Sequence, residues 1–178
     1  MTETISREDR AWLAAMIEGE GSLFFATHHL KNEKPTVRPS ISVTNNDMRI
    51  IKRVSEIWYK LGAKFYYYLK KIHGTTKHRA MSINSCGRKS VLKILDAIEE
   101  FMSAKTEQVQ LFREYINWME NEMSNRKQEN GRYRRLTTEE KAQYRDVQQE
   151  FKKRLSDMRT PSIDPQRLTR KASKPLQF

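Results

Sequence analysis

Nine residues, Leu13-Ala14-Ala15-Met16-Ile17-Glu18-Gly19-Glu20-Gly21, run directly into Ser22-Leu23-Phe24-Phe25. The stretch reads as the end of a helix that becomes a strand without a linker. Ser6 and Asp9 give the helix a capping-box-like start, and Leu13, Met16 and Ile17 then fall on one face. Ala11, Ala15 and Gly19 recur every fourth residue and form a second ridge, made only of small side chains. A ridge of that kind lets another helix backbone come close. Glu20 stands between two glycines, so its carboxylate can meet a metal ion and a bulky polyanion together. An ordinary helix C-cap with a solvated glutamate has the same composition, and these residues alone do not separate the two.

The rest of the chain narrows the choice. Its 178 residues allow one domain of ordinary size plus a tail. Against 22 Asp+Glu stand 34 Lys+Arg, a net charge of +12. A surplus of this size favours a polyanionic partner, because each neutralised phosphate releases condensed counterions. A plain basic structural protein would carry the same surplus. Cys86 is the single cysteine, which excludes an intramolecular disulfide and a cysteine-based zinc site. The polar N-terminus and the lack of an apolar run of spanning length lead to an intracellular protein with no membrane association. Cytoplasm, organelle and nucleoid suit it equally.

Beyond Gly21 the pattern switches to alternation. Leu23 and Phe25 share one face, and Ser22, Phe24, Ala26 and His28 the other. A turn containing Asn32 leads to residues 36 to 44, with Val37, Ile41 and Val43 on one side and Thr36, Arg38, Ser40 and Ser42 on the other. A hairpin with one apolar and one polar face fits a DNA major groove, although a solvated sheet face looks the same. Asn45-Asn46-Asp47 starts a helix whose apolar face holds Ile50, Ile51, Val54, Ile57, Trp58 and Leu61, closed by Gly62. Residues 65 to 71 form a third strand whose run of aromatics allows two registers: either Phe65, Tyr67 and Leu69 point inward or the opposite set does, and the reading favoured here puts Tyr66, Tyr68 and Lys70 outward. A fourth, over residues 77 to 84, turns Met81 and Ile83 inward and His78, Ala80 and Ser82 outward. Two helices follow, interrupted at Ser103-Ala104-Lys105-Thr106, and Thr137-Thr138-Glu139-Glu140 opens a last one. The expected division is a core over residues 1–125, a helical extension over 126–158 and a flexible basic tail over 159–178.

The nonapeptide resembles the signature of the LAGLIDADG homing endonucleases, L-A-G-[FL]-[IVL]-[DE]-[GA]-[DE]-G, with Ala15 where glycine is usual. The similarity continues in order through Ile41-Ser42-Val43-Thr44-Asn45, Leu61-Gly62 and Phe101-Met102-Ser103-Ala104-Lys105, covering roughly residues 8 to 120. It implies an α+β, αββαββα fold with an antiparallel DNA-binding sheet, followed here by a helical extension. It also implies a magnesium- or manganese-dependent double-strand DNA endonuclease, with calcium as a non-cleaving substitute and no small-molecule cofactor. Two copies would pack through Ala11, Ala15 and Gly19 as a homodimer on a roughly palindromic target, since one motif supplies one acid.

Carried over by position, Glu20 and the Gly19 carbonyl are the expected metal ligands. Lys105 matches the basic residue near the scissile phosphate, and Asn45 falls where a water-positioning glutamine is frequent. The sheet residues named above, Ser22 to Ser82, become the DNA-binding set. The alternative within the family is a non-cleaving descendant, an intron-splicing maturase or a transcription factor.

Overall fold

The computed structural model describes residues 5–28, 36–69 and 80–159. Helix α1 (Arg7–Gly19) starts as expected, with the Asp9 N–H donating to Ser6 Oγ at 3.1 Å. It is followed by β1 (Gly21–His28), β2 (Thr36–Asn45), α2 (Met48–Lys60), β3 (Phe65–Leu69), β4 (Met81–Cys86), α3 (Arg88–Ile98), a single 3-10 turn (Glu99–Phe101), α4 (Thr106–Asn125) and α5 (Thr138–Arg159). This is the anticipated αββαββα order with added helices. Asn32, Lys70 and His78 lie outside the described residues, as do residues 160–178.

The strands form one antiparallel sheet in the order β1-β2-β4-β3. Residues paired across antiparallel strands share a face, so the register fixes the side on which each side chain lies. Leu23, Phe25, Val37, Ile41, Val43 and Ile83 face the helices and are buried with Leu13, Ala14 and Ile17 of α1. Pro39 sits in the middle of β2, where a missing N–H would normally break a ladder. Its position is tolerated because β4 pairs with β2 only from Ser40 onward, so the β4 ladder asks no N–H of Pro39, whose carbonyl still accepts from the Gly87 N–H at 3.0 Å.

Below β1 and β2 the core is aromatic. Phe25 stacks on Phe112 at 4.8 Å, and the Tyr115 hydroxyl donates to the Val37 carbonyl at 2.8 Å. Gln148 of α5 donates in turn to that hydroxyl at 3.2 Å, and Phe151 and Leu155 join the same core. Burial of Tyr115 raises the proton affinity of its phenolate, so the hydroxyl stays a donor. Helix α5 opens with a complete capping box: the Glu140 N–H donates to Thr137 Oγ1 at 3.2 Å, and the Thr137 N–H to Glu140 Oε2 at 2.7 Å. Along its length α5 follows the outer edge of β1, where Lys152 donates to Thr27 Oγ1 at 3.0 Å and Arg159 to the Leu23 carbonyl.

Candidate active site and nucleic-acid interface

Glu20 occupies the C-cap position of α1, its N–H bonded to the Met16 carbonyl at 2.9 Å and its side chain exposed. The two glycines beside it differ. A Cβ on buried Gly21 would lie 2.7 Å from both Cα and the carbonyl oxygen of Ile17, so only glycine lets β1 start against the last turn of α1. A Cβ on Gly19 would meet nothing within 4 Å. Gly19 and Ala15 are exposed and Ala11 partly so, which places the small-residue ridge on the side of α1 away from the core. Met16, expected among the inward residues, is half-buried, and Ala14 takes the interior position instead.

The first acid of the motif is fully committed. Glu18 accepts from the backbone N–H groups of Ser103 and Ala104 at 2.6 Å each and of Lys105 at 3.3 Å, and from Ser103 Oγ at 3.1 Å. It thereby holds the 103–105 turn that leads into α4, close to a helix end whose dipole favours an anion. Burial pushes the Glu18 carboxyl up, but the three N–H groups and the hydroxyl together hold it below its ordinary value. Lys105 answers in the opposite direction: Nζ donates to the carbonyls of Ile17 at 2.7 Å and Gly21 at 2.8 Å. Each helix end thus receives a charge of the sign that suits its dipole. Burial lowers the proton affinity of Lys105, the nearby Glu18 charge opposes that, and Arg159 adds to it. Glu18 thus holds the turn around Lys105, while the lysine side chain ties the α1–β1 junction.

Asn45 ends β2, two residues beyond the partner of Gly21. Its Oδ1 accepts from the Asp47 N–H at 2.8 Å, which organises the entry to α2. This agrees with the reading of Asn45-Asn46-Asp47 as a helix start, an asparagine two residues before a helix N-cap being a known turn signal.

The open face of the sheet carries Ser22, Phe24 and Ala26 from β1, Thr36, Arg38, Ser40 and Ser42 from β2, and Tyr66 and Tyr68 from β3, while the side chain of His28, the last residue of β1, lies outside the described ones. Ser82 of β4 joins them, and Ala80 precedes that strand. The facing favoured for the third strand is the one found. Alternation also places Thr44, Asn84 and Cys86 there, three residues the sequence reading omitted.

Depth corrects part of the expected set. Ser40 and Ser82 are 1% and 0% exposed; the Ser40 hydroxyl donates to the Arg38 carbonyl, and Ser82 shares a 2.6 Å hydrogen bond with Thr44 Oγ1. Neither hydroxyl is presented to a ligand. Ser22 and Arg38 are exposed, as are Tyr66 at 55% and Tyr68 at 46%. Tyr67 and Leu69 lie on the helix side yet are 48% and 54% exposed, because β3 is an edge strand that the helices do not cover.

Divalent ions of the magnesium and calcium type take oxygen ligands. An exposed carboxylate at the carbonyl-rich end of a helix suits them, so Glu20 with the Gly19 carbonyl fits such an ion in part. One chain supplies no more than this: among the described residues no group of three or more His, Cys, Asp or Glu side chains could hold a metal. No described helix is long and apolar enough to cross a membrane.

Solved structures share this arrangement. I-CvuI in complex with its target in the presence of calcium superposes with a TM-score of 0.57 at 16% identity, over 85% of this chain and 82% of that one. The archaeal intron-encoded homing endonuclease I-Vdi141I, complexed with DNA, gives 0.55 at 18% identity, over 85% and 84%. The LAGLIDADG homing endonuclease I-GzeII, in complex with its DNA target, gives 0.56 at 14% identity, over 84% of this chain but 44% of its own. The chain has the LAGLIDADG homing-endonuclease fold. No family model matches its sequence, and a search of curated proteins also gives no match. At these identities the agreement concerns the LAGLIDADG fold alone, and the roles of Glu20, Lys105 and the open face rest on their own geometry.

Proposed function

We propose that the chain is a site-specific homing endonuclease that cleaves both strands of a long, roughly palindromic DNA target as a homodimer, using magnesium or manganese. The observation that carries this reading is the state of Glu20. It is an exposed carboxylate at the end of the motif helix, next to the first residue of a sheet whose open face presents Ser22, Arg38 and two tyrosines. Structural neighbours solved on DNA support a duplex as the partner.

Glu20 and the Gly19 carbonyl would hold the ion. A bound divalent ion supplies an activated water and stabilises the leaving oxygen. The protein does the positioning. Glu18 fixes the 103–105 turn, the turn fixes Lys105, and Lys105 brings positive charge beside the α1–β1 junction. Asn45 has Oδ1 committed to Asp47, so its amide N–H groups are what it offers to a water. Because one chain brings one acid, a double-strand cut needs two, and the outward ridge of Ala11, Ala15 and Gly19 is the surface on which a second copy would place its Glu20 nearby.

End-sequencing of genomic DNA after digestion tests the reading. The expected result is breaks recurring at one long, near-palindromic sequence in magnesium and none in calcium. Specific binding without breaks in either magnesium or manganese would remove the endonuclease and leave a non-cleaving DNA-binding module.

A further inference from the structure

The outer edge of β1 holds two cations that the fold leaves without an acidic partner. The carbonyls of Gly21 and Leu23 are two residues apart and point the same way, roughly 7 Å from each other along the strand. Lys105 donates to the first, and Arg159, the last residue of α5, donates to the second. Among the described residues neither side chain forms an ion pair, and Glu18, whose charge acts on Lys105, is occupied by backbone N–H groups. Lys105 is half-buried and Arg159 exposed, and the Arg159 charge acts against that of Lys105. Two like charges on one strand edge repel each other, and an anion placed between them would relieve both. Donors remain for it. An ammonium has three and Lys105 uses two on carbonyls; a guanidinium has five. Exposed Ser22 lies between the two carbonyls, and Glu20 is one residue before them.

We propose that Arg159 and Lys105 together bind one backbone phosphate of the DNA, so that the C-terminal helix contributes a phosphate-binding residue at the edge of the candidate active site. This assignment rests on the endonuclease reading and adds Arg159 to it. A phosphate group is the ligand that fits: compact, doubly accepting, and satisfied by a planar guanidinium and an ammonium at once.

The test uses the full chain and duplex DNA, with affinity measured across a salt series. Arg159→Gln keeps a donor for the Leu23 carbonyl but removes the charge, whereas Arg159→Lys keeps the charge. Arg159→Gln should lower the slope of log affinity against log salt by up to about 0.9, the value for the one phosphate that the pair shares. A fourfold rise in salt should then weaken binding by the variant up to about 3.5-fold less than it weakens binding by wild type. Arg159→Lys should keep the wild-type slope, and the melting temperatures of the three free proteins should agree. If Arg159→Gln keeps the slope, or if both variants melt early with unchanged slopes, Arg159 only fastens α5 to β1 and the assignment fails. A wild-type chain that does not bind duplex DNA would overturn the endonuclease reading itself.

Discussion

The signature nonapeptide divides along its length into two sets of residues that the fold treats differently. The inward set, Leu13, Ala14, Ile17, Glu18 and Gly21, is buried or bonded at every position. The outward set, Ala15, Gly19 and Glu20, is exposed, and the space around Gly19 is empty. Both sets alternate within nine residues, so a substitution in one can be compared with its neighbour in the other against the same background. The inward set is explained by folding. For the outward set the isolated chain offers no structural reason, and residues without a structural reason are where function is sought first.

The two glycines give the largest contrast. Gly21→Ala forces a methyl group into the Ile17 backbone, which cannot move aside as a flexible side chain would. A loss of about 3 kcal/mol, at the upper end of overpacking costs, is expected. Gly19→Ala meets nothing and removes a flexible residue from the end of a helix, so it should stabilise by about 0.5 kcal/mol. Urea denaturation of the pair checks this. Equal effects at both positions would mean that the α1–β1 junction is looser than drawn.

Glu18 against Glu20 is the next contrast. Glu18→Ala releases the 103–105 turn that leads into α4 and should cost about 1–2 kcal/mol. The effect depends on pH in a definite direction. Because folding lowers the Glu18 pKa, the stability it provides is complete above the ordinary value of 4.5 and is lost as the pH falls through the lower folded value. Denaturation curves of wild type and Glu18→Gln should therefore differ at neutral pH and converge in acid. Curves that stay parallel down to about pH 3 would show that the charge of Glu18 plays no part in the latch.

What the sequence disclosed follows the same division between local and distant information. Periodicity placed α1, the α1–β1 junction and the facing of β1, β2 and β4, because alternation and helical spacing are local properties. It could not give depth. Ser40 and Ser82 have the outward parity of Arg38, yet bonds within and between strands withdraw them. Nor could it show that the turn holding Lys105 is grasped by Glu18, 85 or more residues earlier, or that α5 ends on β1. Those interactions join segments whose separation carries no sequence period. The tyrosines of β3 show an intermediate case: alternation left two registers open, pairing with β4 selects the one with Tyr66 and Tyr68 outward, and the exposure of Tyr67 depends on β3 being an edge.

A third contrast sets the ridge against the core. Ala14→Leu inserts bulk into a buried site and should destabilise the fold by about 1–3 kcal/mol. Ala15→Leu adds the same bulk to an exposed site and should change the fold by less than about 0.5 kcal/mol. If two copies meet through this ridge, Ala15→Leu shifts sedimentation toward monomer and abolishes the double-strand cut. A variant that remains dimeric and active would move the interface to another surface, and a wild-type monomer that cuts both strands would remove the dimer from the mechanism.

The smallest effect on stability belongs to Glu20, and it separates the two sets most cleanly. Glu20→Gln preserves size and leaves the backbone bond to Met16 in place, and no hydrogen bond within the described residues uses the carboxylate. The expected change in unfolding free energy is within about 0.5 kcal/mol, as for an ordinary surface substitution. Duplex binding measured in calcium-free buffer should also survive, since the open face and the basic residues are untouched. Cleavage should fall by at least about a hundredfold, because a neutral amide is a poor ligand for a divalent ion and one chain brings no second acid to replace it. Two outcomes would break the comparison in different places. A stability loss comparable to that of Glu18→Ala would make Glu20 another structural residue. A stable variant that cleaves at the wild-type rate would leave the fold description intact and move the chemistry away from the end of α1.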